Sequence, residues 1–230
     1  NYPLTFQSPE RLLNDDSHAV QAEGIPALLA SDNASQREAA RMTYDNLRRS
    51  DDPAGRILST QIAERTGEVT AILDLLLFQE DPDDDVRLHA TRAIASLWRD
   101  DMPPKIYDKV LENIELLYSD PVERIRLVEL RLLAKVTHPE VYRVLANAIN
   151  DFSPRVREAA KGLLIDIGKP AIPALEAVMA QDDDYHAQRA ATVLSRIDLQ
   201  RYDYLLKTYS ERNLHIIYRN YAWLSLLHPY

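Results

Sequence analysis

"DPDDDVRLHATRAIASL", residues 81–97, sets an acidic turn directly before Val86-Arg87 and an alanine-rich apolar pattern. The phrase returns as "DPVERIRLVELRLLAKV" from Asp120 and as "DFSPRVREAAKGLLIDI" from Asp151. Self-similarity at a spacing of tens of residues marks a repeat architecture. Counted from Val86, the residues Ala90, Ile94 and Leu97 fall on one stripe of a helix with 3.6 residues per turn. The same offsets give Ile125, Glu129, Leu133 and Val136, then Val156, Ala160, Leu164 and Ile167. Gln36, Ala40, Tyr44 and Leu47 fit that grid upstream, and His186, Ala190, Leu194 and Ile197 fit it downstream. The last segment offers Ile216, Asn220, Leu224 and Leu227.

Each of these helices follows another apolar segment across a short turn, as "KIYDKVLENIELLY" precedes Asp120 and "PEVYRVLANAIN" precedes Asp151. The unit is helix, turn, helix. One such pair cannot bury its own apolar face, whereas stacked pairs can. The sequence therefore predicts an all-α fold, an α-solenoid of about six stacked pairs. An N-terminal arm is expected over 1–18. Units follow at about 19–49, 50–99, 103–137, 138–168, 169–198 and 199–230. Residues 50–66, "SDDPAGRILSTQIAERT", lengthen the second unit and read as an extra helix, either a tolerated insertion or a dedicated site.

The pattern D-P-x-x-x-[VI]-R-x-x-A resembles the HEAT repeat, in particular the short form of phycobilisome-lyase-like HEAT proteins. The resemblance implies that the turn aspartate and the following arginine form a hydrogen-bonded ladder between neighbouring repeats. Asp81 with Arg87, Asp120 with Arg126 and Asp151 with Arg157 share one six-residue spacing. A feature repeated in several units suits a structural role better than a single Asp–Arg active site. Gln188 stands where the arginine after Asp182 would be, so the ladder is expected to weaken toward the C-terminus.

The resemblance also implies that second helices line a concave surface. Positions +2, +6 and +9 point away from the apolar stripe, and two units place the same letters there: Leu88 with Leu127, Arg92 with Arg131. These four form the candidate partner-binding strip, since arginine is enriched in interfaces. The alternative for the two leucines is packing against the next repeat. Gly162 and Thr192 at the following +6 positions make the strip shallow. The C-terminal aromatic region reads first as a cap of the last repeat, with Tyr218, Tyr221 and Trp223 as a second candidate contact.

Composition narrows the function. The net charge of -9 opposes binding to phosphate backbones, so no nucleic acid is expected. Without Cys there is no thiolate ligand or cysteine nucleophile. None of the six His is followed by Glu, and none has zinc-site spacing, so neither a metal nor another cofactor is expected. "DPDDD" lacks the glycine and closing glutamate of a calcium loop. The longest apolar run, "AILDLLLF", is too short for a bilayer and carries Asp74, so no membrane insertion is expected. The cytoplasm is the expected compartment, with the soluble part of an anchored or exported protein as the other option.

The reading that follows is a non-enzymatic scaffold that binds another protein. The alternative implied by the resemblance is a phycobilin-lyase-like protein that handles a bilin chromophore.

Overall fold

The computed structural model describes residues 9–115, 118–181, 184–205 and 207–208, and every regular element among them is helical. They divide into two compact units, 1–135 and 136–230. No helix among the described residues is long and apolar enough to cross a membrane.

The first unit runs α1 (Pro9–Leu13), α2 (His18–Leu29), α3 (Ala34–Arg48), α4 (Pro53–Thr66), α5 (Ile72–Leu77), α6 (Asp84–Leu97), α7 (Pro104–Glu112) and α8 (Glu123–Leu133). Tight 3-10 turns extend α5 at both ends. Helix starts are set by local chemistry. Asp83 accepts from the Asp85 and Val86 N–H groups ahead of α6, and Asp52 accepts from the Ala54 N–H ahead of α4. Pro53 occupies a first-turn position of α4, where a missing N–H costs nothing.

Packing sorts the helices into two sets. The helices α2, α4, α6 and α8 stack side by side in that order, while α1, α3 and α5 pack beside α2, α4 and α6. Fully buried Ile25, Leu58, Ile62, Ile72, Leu75, Ile94, Ile125 and Leu130 form the core. Each such side chain contributes roughly 2 kcal/mol of burial. Short side chains are fully buried along α4 and α6, Ser59 and Ala90 among them.

This register differs from the sequence-based boundaries in the first hundred residues. Residues 53–66 do form a helix, α4, which lies between α2 and α6 and also packs on α3. The helix α2 in turn pairs with α1, so helical structure begins before residue 19. The reason is chemical. Ser50 replaces the turn aspartate, its hydroxyl oxygen accepting from the Asp52 N–H as Asp81 accepts from the Asp83 N–H. Gly55 and Ser59 stand where Val86 and Ala90 stand in α6, which erases the apolar stripe.

The second unit holds α9 (Pro139–Ala148), α10 (Pro154–Ile167), α11 (Ile172–Met179) and α12 (Asp184–Ile197). Here α9 packs on α10, α11 on α12, and α10 on α12. Leu145, Val156, Leu164, Leu175, Ala190 and Leu194 are buried among them.

Two glycines test these helices with opposite signs. Gly67 closes α4 in the left-handed region at φ 68°, with open space where an added methyl group would sit. Gly67→Ala is expected to lower the unfolding free energy by about 1 kcal/mol through backbone strain alone. Gly162 sits inside α10, also in open space, and Gly162→Ala is expected to raise stability by up to about 1 kcal/mol. Urea unfolding of both variants measures the pair.

Candidate functional site

The repeated turn is built the same way each time. In the turn before α6, Asp81 Oδ1 accepts from the Asp83 N–H at 2.9 Å, and Asp120 Oδ1 and Asp151 Oδ1 accept from the Val122 and Ser153 N–H groups. The arginine six residues on folds back onto the turn's carbonyls. Arg87 Nη1 donates to the Asp81 and Pro82 oxygens, Arg126 Nη1 to those of Asp120 and Pro121, and Arg157 Nη1 to those of Asp151 and Phe152.

The remaining guanidinium nitrogens reach the next turn. Arg87 Nε donates to Asp120 Oδ2 at 2.6 Å, and Arg56 Nε donates to Asp81 Oδ2 at 2.7 Å. Arg56 Nη1 meanwhile binds the Ser50 and Asp51 carbonyls. Each such arginine thus holds one turn's backbone and the following turn's carboxylate. The hydrogen bonds from Arg56 to Asp81 and from Arg87 to Asp120 raise both guanidinium pKa values further. In Arg56 and Arg87 these contacts engage Nε, Nη1 and Nη2 alike. Asp182 lies outside the described residues.

The acidic run beside α6 is likewise occupied. Asp83 caps the helix, and Asp84 and Asp85 both grip Arg124 of α8, at 2.7 and 2.9 Å. Arg124 holds the Asp84 carboxyl below its ordinary range.

The face formed by the second helices offers open groups instead. A cavity of about 540 Å³ is lined by His18 and Ala22 of α2, Gln61, Glu64 and Arg65 of α4, and His89 and Arg92 of α6. Arg65 is held by Glu23 at 2.9 Å. Burial, then the Arg92 charge, pushes the His89 pKa below its usual value. Arg92 is exposed, and neither it nor Gln61 makes a hydrogen bond or ion pair among the described residues. Arg131 of α8 is exposed and equally uncommitted. By the ladder register, Gln61, Arg92 and Arg131 occupy one equivalent position on three successive helices.

The four residues of the expected strip separate here. Arg92 and Arg131 project from the face, Leu127 is half-buried, and Leu88 is 4% exposed and belongs to the core. In the second unit, Gly162 and Thr192 line a smaller cavity of about 260 Å³ together with Lys161 and Arg196. Tyr218, Tyr221 and Trp223 lie outside the described residues. Sequence reasoning missed Gln61, because α4 read as an insertion. It missed His18 and His89 because a cavity shared by three helices leaves no local pattern.

Stacked helix pairs joined by repeated arginine–aspartate turns define a helical repeat protein of the α-solenoid class. Residues 110–195 match the family model described as HEAT repeats. Among solved structures, the chain is similar to a crystal structure of an engineered protein at 19% identity, with 84% of this chain and 99% of that one covered and a TM-score of 0.50. It is also similar to a second engineered protein at 19% identity, covering 82% of this chain and 94% of the other with a TM-score of 0.48. Human deoxyhypusine hydroxylase in complex with glycerol matches at 17% identity over 90% of this chain and 82% of that chain, with a TM-score of 0.31. No curated protein matches the chain.

Proposed function

We propose that this chain is a non-enzymatic scaffold that binds a protein partner along the face of its second helices. Arg92 and Arg131 are the charged anchors, and half-buried Leu127, one turn before Arg131 on α8, is the apolar contact. The observation that carries this reading is the pair of exposed, uncommitted guanidiniums on adjacent stacked helices, one of them at the edge of a 540 Å³ cavity. On α6 and α8 the other arginines, Arg87, Arg124 and Arg126, are spent on backbone and carboxylates, so these two stand apart on their helices. Repeat arrays present such extended faces to partners.

The test is charge reversal. Arg92→Glu with Arg131→Glu is expected to keep the helical circular-dichroism signal and to abolish retention of the partner that the wild-type chain holds in extract of its source. Retention unchanged by the double reversal would remove this face from the binding site. The bilin-handling alternative would rest on Tyr218, Tyr221 and Trp223. A shift in visible absorbance on incubation with a bilin is the result that would favour it.

A further inference from the structure

We infer that the segment held on this face is an acidic peptide in the polyproline II conformation, with two carboxylates three residues apart, one on Arg92 and one on Arg131. The inference rests on the scaffold reading and specifies its ligand.

The geometry comes from the stack. The helices α6 and α8 pack side by side, and Arg92 and Arg131 follow the ladder arginines Arg87 and Arg126 by the same five residues. The axes of packed helices lie about 8–10 Å apart, and this sets the interval between equivalent positions on helices that run side by side in register. An extended β-strand alternates its side chains, so residues on one edge lie about 7 Å or about 13 Å apart, and neither interval fits. Polyproline II repeats every three residues at about 3.1 Å per residue, which places i and i+3 on one edge about 9 Å apart. That interval fits the pair. One step further along the stack, Gln61 offers an uncommitted amide at the same register, suited to a neutral polar side chain three residues beyond.

Charge selects the class of ligand. The two guanidiniums have no carboxylate partner of their own among the described residues, so a peptide carboxylate meets each without displacing one. The surroundings are acidic: Asp84 and Asp85 lie at the start of α6, Glu64 lines the cavity, and the whole chain carries a net charge of -9. A dense polyanion would be repelled by that field, whereas a short motif with two spaced charges touches only the two arginines.

The experiment measures fluorescence polarisation of labelled peptides containing Glu-Pro-Pro-Glu, Glu-Pro-Glu or Glu-Pro-Pro-Pro-Pro-Glu, with Lys-Pro-Pro-Lys as the reversed probe. The three-residue interval is expected to bind up to about fivefold more tightly than the other two acidic spacings. Arg92→Glu with Arg131→Glu should lose that binding and acquire affinity for the lysine peptide. The milder pair Arg92→Gln and Arg131→Gln should lose the acidic peptide without gaining the basic one. Equal affinity for all spacings, or binding unaffected by either pair of substitutions, would overturn the inference. If no acidic peptide binds and charge reversal still releases the partner from extract, the acidic motif is wrong and the scaffold reading stands. If reversal leaves that partner bound, the scaffold reading itself falls.

Discussion

Asp120→Ala lowers the unfolding free energy of this chain by about 3 kcal/mol, the expected cost of breaking a buried ion pair from one side. Its side chain is 6% exposed and that of Arg87 is 13% exposed, so the abandoned guanidinium gains little water. Asp120 also accepts from the Val122 N–H at 2.8 Å, and that donor loses its partner too. Asp120→Asn separates the two contributions, because the amide oxygen still accepts from Val122 while the charge is gone. Its loss should be smaller. The contrast is Arg124→Ala, whose contacts with Asp84 and Asp85 are solvent-exposed, and which should leave the urea midpoint unchanged. A double-mutant cycle between Arg87→Ala and Asp120→Ala checks the coupling. Additive losses would mean that the two side chains act independently and that the ladder adds nothing between repeats.

That ladder explains how much could be read from letters alone. Each turn is local chemistry, an aspartate capping an N–H two residues on and an arginine returning six residues later, so Asp81, Asp120 and Asp151 signal it directly. Which carboxylate the arginine meets is not local. Arg87 pairs with Asp120, 33 residues away, and a periodic sequence looks the same whether the pairing is within a turn or between turns. The pair α3/α4 is hidden because a serine hydroxyl performs the aspartate's task, while the apolar face of Ala40, Tyr44 and Leu47 is real but belongs to a first helix.

Leu88 departs from its expected place for a different reason. The helix α6 is flanked by α4 and α8, so its buried arc is wider than one stripe and takes in the +2 position. The candidate site is legible in the sequence only as Arg92, Leu127 and Arg131. The rest of its cavity depends on three helices meeting, which periodicity along one helix does not record.

Glu129→Met raises stability, and raises it more as the pH increases. Glu129 is 1% exposed on α8, its Oε2 has no hydrogen-bond partner, and it fills the position that Ala90 fills on α6. Burial foremost, then the neighbouring Asp120 charge, pushes its pKa from 4.5 up to about 9, against the opposing pull of Arg126 and Arg87. The folded chain therefore keeps this carboxyl protonated at neutral pH while the unfolded chain ionises it. An acid raised on folding costs nothing below the unfolded pKa, and the cost grows with pH until the folded pKa is reached. The slope is about 1.4 kcal/mol per pH unit, which amounts to about 3 kcal/mol at pH 7. The stability difference between Glu129→Met and wild type should thus be small at pH 4.5 and widen steadily to pH 8. Glu129→Gln removes the titration but keeps a buried polar group, so it should flatten the profile with a smaller gain. Parallel pH profiles for all three proteins, measured by urea unfolding, would mean that the carboxyl reaches water in the folded state and that its burial has no thermodynamic cost.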